Sequence, residues 1–259
     1  MTEKPEEITV NFPGTIISSI IEILIPFILS FIWIKYFYGK ITCILIGIAG
    51  FIVSVFIEGI FLQIIIWATG RGIFYYIIAG LSPGIFEETG RYISFKYLLS
   101  KEHYQHKNIS VSYGIGHGGI ESLLVGITFL SYLFAKDSLI EKGIIKSSIT
   151  FFSSLMGAVE RIFTVIIHIS ASVLVYKAVK GKRIAYYIIV IIFHDLIDFV
   201  AILYRFEYIK NIFVVELIIG IFSSCFAYYV YKLYFSLDTD FDVKNGEKAF
   251  IIEEKKKTN

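Results

Sequence analysis

Cysteine is nearly absent from this chain: of 259 residues only Cys43 and Cys225 are cysteines, and both fall inside apolar runs. That excludes a disulfide framework and a metal site built on thiolates. Charge is scarce as well. Asp, Glu, Lys and Arg make up 18% of the residues and balance to a net +2. With no basic stripe interleaved with aromatics, nucleic acid is not expected as a partner. No Pro- or Ser-rich linker, low-complexity tract or internal repeat divides the chain. The first residues, Thr2 to Phe12, are acidic rather than basic. The apolar run that follows exceeds a signal-peptide core and lacks a small-residue cleavage site, so it reads as a retained span.

Apolar residues are abundant instead, at 56%, with 17% aromatic and a mean hydropathy of +0.72. A membrane helix needs roughly 20 mostly apolar residues. Such stretches cover residues 16–38, 41–69, 73–99, 110–134, 147–176, 184–204 and 212–235. The expected fold is an all-α membrane protein, a polytopic bundle of about seven transmembrane helices. The third stretch is the weakest, because Pro83, Gly84, Glu87, Glu88 and Arg91 interrupt it; such a segment requires its polar side to face protein or water. The domain reading is one integral-membrane helical domain with an intramembrane polar site, residues 1–237, followed by a charged, disordered cytoplasmic tail, residues 238–259. Lysine and arginine concentrate at one end of the bundle (Lys35, Lys40, Lys96, Lys101, Lys107, Lys177, Lys180, Lys182, Arg183). This predicts an outside N-terminus and a cytoplasmic C-terminus.

Ionisable residues inside these spans each cost at least a few kcal/mol, and by default they line a functional cavity. In Gly84-Ile-Phe-Glu87-Glu88-Thr-Gly90-Arg91, helical spacing allows Arg91 to pair with either glutamate, leaving the other available as a general base. In Tyr113-Gly-Ile-Gly-His117-Gly-Gly-Ile-Glu121, His117 and Glu121 share a face, and the glycines admit a close neighbour. His194 and Asp198 share a face of the sixth span, with Asp195 about 100° away. Glu160, Thr164 and His168 form a stripe on the fifth, read as supporting or substrate-lining. His103 and His106 read as solvated loop residues, and Glu58 as a helix-packing group. Taking the alternating span directions into account, Glu87, His117, His168 and His194 fall at similar depth in the cytoplasmic half. A polar cavity open to the cytoplasm is expected to admit water.

Glu-Glu followed by Arg on one span, aromatic-xxx-His on the next and His-xxx-Asp on a later one resemble the three motifs of the CAAX-protease and bacteriocin-processing (glutamic intramembrane protease) superfamily. Within it, Glu-Glu-x-Gly-Arg-Tyr, Gly-x-Gly-His-Gly-Gly-x-Glu and Glu-Arg with a later His most resemble the YhfC family of intramembrane proteases. The resemblance covers roughly residues 81–199. It implies an intramembrane endopeptidase of a bacterial cytoplasmic membrane, acting on a membrane-embedded or membrane-associated protein or peptide. Glu87 would activate water, with Glu88 and Arg91 in support. His117 would take the second-motif position, and His194 the third, with Asp198 standing where the superfamily often has Asn. No cofactor is preferred. The main alternative is a zinc site on His117, Glu121, His168 and His194, which together offer enough imidazole and carboxylate for three ligands and an open position. A proton-coupled transporter or an inactive membrane partner protein would use the same residue types.

Overall fold

Asn11 accepts a hydrogen bond from the Gly14 backbone N–H at 2.9 Å, and Pro13 sits in the first turn behind it. These are the capping residues a helix start needs, because its first N–H groups have no partner within the helix. They open α1, Phe12–Phe37, which ends where Tyr38 turns left-handed at φ 55°. The chain then forms α2 (Ile41–Thr69), α3 (Ile73–Leu98), α4 (Asn108–Glu141), α5 (Phe151–Lys180), α6 (Ile184–Arg205) and α7 (Ile212–Lys257). Thr150 and Ser153 form a reciprocal capping box at the start of α5. The computed structural model describes residues 8–98, 100–101, 106–142, 144–145, 148–205 and 208–257. His103 lies outside the described residues. The backbone of the charged tail continues α7 as far as Lys257.

Among the described residues, six of the seven helices are long and apolar enough to cross a membrane. The exception is α3, which has the length but carries Glu87, Glu88, Arg91 and Lys96. The helix itself is continuous through Pro83. Proline there deprives the Ala79 carbonyl of its usual donor. Ser82 Oγ stands 3.5 Å from that carbonyl while donating to Glu58 Oε1 at 2.5 Å. A neighbouring hydroxyl and a buried carboxylate on α2 thus line the proline site, which is how membrane helices tolerate proline.

Large apolar side chains such as Phe27, Phe31, Phe56, Ile64, Trp67 and Leu217 face outward, whereas Glu88, Arg91 and His117 have no exposed surface. That inverted distribution suits lipid outside and hydrogen-bonded polar groups inside. Burial is deepest on α5, where 61% of its most apolar window is enclosed, against at most 33% for any other spanning helix. The bundle therefore wraps around α5, with α4 packed beside it.

Glycines permit this approach. A Cβ at Gly116 would lie 2.0 Å from the Ile44 carbonyl oxygen of α2, and one at Gly118 would lie 2.9 Å from the His168 Cβ of α5. We expect Gly116→Ala to destabilise the protein by about 1–3 kcal/mol through overpacking against backbone that cannot yield. Gly59, whose Cβ position is open space, provides the control. A thermal-unfolding midpoint in detergent that falls for Gly116→Ala and not for Gly59→Ala is the expected result.

Candidate functional site

Helical geometry sorts the three charged residues of α3. Arg91, three residues on from Glu88, donates from Nη1 to both carboxylate oxygens of Glu88, at 2.5 and 2.6 Å. Glu88 Oε1 also accepts from His194 Nδ1 at 2.8 Å. Glu88 is thus fully committed, with no exposed surface. Glu87 points elsewhere: its Oε2 meets His117 Nε2 at 2.9 Å. About 8% of its side chain stays open, and Oε1 has no partner among the described residues. The spacing allowed Arg91 to choose either glutamate, and it pairs with Glu88.

The three span histidines lie side by side. Ring centroids are 4.9 Å apart for His117 and His168, and 5.4 Å for His168 and His194. Measured along their helices at about 1.5 Å per residue, Glu87, His117, His168 and His194 sit roughly 14–18 Å from the helix ends nearest the basic loops. Four helices running in alternating directions deliver them to one level. His194 Nε2 is 3.6 Å from Asp198 Oδ2, too long for a hydrogen bond. Asp195 leaves this cluster and packs against Gly84 of α3, where a Cβ would meet its Oδ1 at 2.1 Å.

His168 connects the cluster to a second one. Arg91 Nη2 donates to His168 Nδ1 at 2.9 Å. A guanidinium can only donate, so the proton of a neutral His168 resides on Nε2, which donates to Glu121 Oε2 at 2.6 Å. Glu121 Oε1 accepts from Arg161 Nη1 at 2.7 Å, and Arg161 Nη2 in turn donates to Glu160. Glu121 therefore reaches across to α5 rather than back to His117, its neighbour four residues earlier. Thr164 of the expected stripe only closes on its own helix, donating to the Glu160 carbonyl at 2.9 Å.

The polar cluster opens on one side. Asp198, Glu160 and Glu121 keep 31%, 31% and 23% of their side-chain surface, and all three lie beyond the histidines, away from the basic loops. Towards the basic loops the path is closed by Tyr113, Phe95, Leu98, Ile109, Leu174 and Tyr176, packed with no exposure. Aromatic and aliphatic packing between α3, α4 and α5 fills the space between the histidines and the lysine-rich end.

One carboxylate and two imidazoles, from Glu87, His168 and His194, bring a ligand atom each to within 4.8 Å of one another, a group that could hold a metal ion. Its composition matches catalytic zinc sites. Of the four ligands expected from the sequence, His168 and His194 belong to this group, His117 and Glu121 do not, and Glu87 takes the third place. Hydrogen bonding tests the fit further. His194 suits it, since Glu88 takes its Nδ1–H and leaves the Nε2 lone pair free, the usual support for a metal-binding imidazole. His168 does not, because Arg91 occupies the lone pair on Nδ1 and Nε2–H is given to Glu121. The residues fit a metal in kind, and only if His168 exchanges one of these partners.

Three buried carboxylates were not expected to matter at this level: Glu58, bound by Ser82, and Glu22 and Glu216, which were not singled out at all. Glu22 accepts from Ser18 at 2.8 Å. The available signal was a single Glu within each apolar run, the same signal that marked Glu87.

A protein of Bacillus subtilis (strain 168), called uncharacterized membrane protein YhfC, is 28% identical over 179 residues, which is 62% of this chain and 69% of that protein. The family described as YhfC intramembrane metalloprotease matches residues 21–219, a stretch holding every residue of the polar cluster, and this integral membrane protein belongs to that family.

Proposed function

We propose that the protein is an intramembrane endopeptidase in which Glu87 activates water, as in the glutamic superfamily its motifs resemble. The observation that carries this reading is the division of labour on α3: Arg91 and His194 occupy Glu88, while Glu87 retains an unengaged oxygen beside His117. In this scheme His117 donates from Nε2 to Glu87 Oε2 and fixes the carboxylate. Glu87 Oε1 takes a proton from a water molecule, whose oxygen bonds to the scissile carbonyl carbon. The carbonyl oxygen becomes an oxyanion, which needs a hydrogen-bond donor. His194 supplies one from Nε2 in its doubly protonated form, with Glu88 and Asp198 on either side of the ring. When the C–N bond breaks, the proton held by Glu87 passes to the leaving amine, so water and peptide yield acid and amine.

The family description and the Glu87, His168, His194 group favour a second reading, in which a metal held by these residues would supply a Lewis acid. The distribution of lysine and arginine orients the N-terminus outside and the C-terminus in the cytoplasm.

The deciding experiment reconstitutes the purified protein in vesicles with membrane-spanning polypeptides and measures cleavage alongside bound metal. Cleavage by protein stripped with chelator and holding well under one metal ion per chain is the expected result. Activity lost on stripping and restored by zinc would replace the glutamate reading with the metal one.

A further inference from the structure

Beyond the histidine cluster, carboxylates outnumber cations around Arg161. Arg161 pairs with Glu121 and Glu160. It also lies within electrostatic reach of Glu22 and Glu216, on α1 and α7. One guanidinium thus faces four carboxylates. Among the described residues the excess is not relieved: Glu22 Oε2 and both oxygens of Glu216 are buried without a hydrogen-bond partner. Glu216 is only 5% exposed. A carboxylate so placed in a membrane protein is costly unless it takes up a proton or something cationic arrives to meet it.

Glu216 lines a groove of about 570 Å³ on the outer face of α5 and α7, together with Phe163, Phe213, Leu217, Gly220 and Ser224. The groove's chemistry limits its occupant. A hard metal cation wants about six oxygen ligands, and the lining side chains offer only those of Glu216 and Ser224. Apolar and aromatic walls with one carboxylate instead match a long apolar stem bearing a nitrogen cation, as in lysine or arginine. Glu216 lies about 6 Å from the start of α7 by helical rise. That is the end of the bundle towards which the polar cluster opens. Glu160, its electrostatic neighbour, stands two turns along α5 from His168, about 12 Å.

We propose that this groove is a docking site for a basic residue of the substrate polypeptide, which engages Glu216 once its buried carboxylate turns into the groove, while the scissile bond lies at the histidine cluster. The proposal rests on the endopeptidase reading and assigns its substrate class: membrane polypeptides with a lysine or arginine near the end of the span away from this protein's basic loops.

The test measures binding separately from cleavage. The full-length protein in vesicles is titrated with fluorescent apolar helical peptides carrying one Lys, Met or Glu at a single position stepped along that end. The Lys peptide should bind at least about tenfold more tightly than the Met peptide at one or two adjacent positions, and the Glu peptide more weakly than either. In Glu216→Gln, checked for unchanged helical content, the Lys preference should disappear. Equal affinity for Lys and Met peptides in the unaltered protein overturns the proposal without recourse to any variant. So does a preference that survives Glu216→Gln. Lysine-dependent binding with no cleavage of any peptide would leave the docking site standing and overturn the endopeptidase reading instead.

Discussion

Glu87→Gln should abolish peptide hydrolysis, with a loss of at least about 10²–10⁴-fold, the usual contribution of a positioned general base. The substitution is close to isosteric, and its amide oxygen can still accept from His117 Nε2, which stands 2.9 Å from the present carboxylate. Folding should therefore survive, and unfolding midpoint and helical content should match those of the unaltered protein. What the amide cannot do is take a proton from water. Glu88→Gln should differ in kind: it strips Arg91 of its partner at 2.5 Å, so both stability and activity should fall together. Cleavage assayed on folded, reconstituted protein separates the two. Activity retained in Glu87→Gln would remove this glutamate from the chemistry and return the role of base to another group.

Much of this arrangement was legible in the residue order, because the bilayer makes each interior charge conspicuous. Glu87, Glu88, Arg91, His117, His168 and His194 stood out by type and depth, and the structure gathers them. The pairings were less legible. Positions i, i+3 and i, i+4 both permit an ion pair, so spacing could not say that Arg91 would select Glu88. Nor could a shared face keep Glu121 with His117: a side chain on the α4 face that meets α5 is drawn to Arg161, a stronger partner than a neutral imidazole one turn away. Pro83 left the course of α3 open for a related reason. Proline removes a hydrogen bond, but whether the helix breaks depends on what stands nearby, and Ser82 and Glu58 are neighbours that only the folded bundle brings together.

The uninterrupted α3 also bears on what kind of membrane protein this is. Transporters of the broken-helix type use half-helix ends at mid-membrane to bind ions and substrates. Here the polar residues project from continuous helices, and their partners are one another. Arg91 is the hub, holding Glu88 on one side and His168 on the other. Through these two it sets the orientation of His194, and of the two α3 glutamates it leaves Glu87 without a cation at hydrogen-bonding distance.

Replacing that hub should be the most damaging single change to stability. Arg91→Met keeps the length and apolar character of the stem but leaves Glu88, with no exposed surface, facing His194 alone. Breaking a buried pair from one side costs about 3–5 kcal/mol, because the remaining charge has no water and only the imidazole to meet it. Arg91→Lys should rescue little, since a single ammonium lacks the planar fork that reaches Glu88 and His168 together. The informative variant is the double one. Adding Glu88→Gln to Arg91→Met removes the stranded charge, so the pair should be less destabilised than the sum of the singles, by on the order of 1–3 kcal/mol. Chemical unfolding in mixed micelles, with all three variants measured against the unaltered protein, gives this difference directly. Strict additivity would mean that the two side chains contribute independently, and Arg91 would then have no claim to organise the site. A sub-additive result with hydrolysis still absent is the outcome the geometry favours, because neutralising Glu88 relieves the strain on the fold without restoring the contacts that hold His168 and His194 in place.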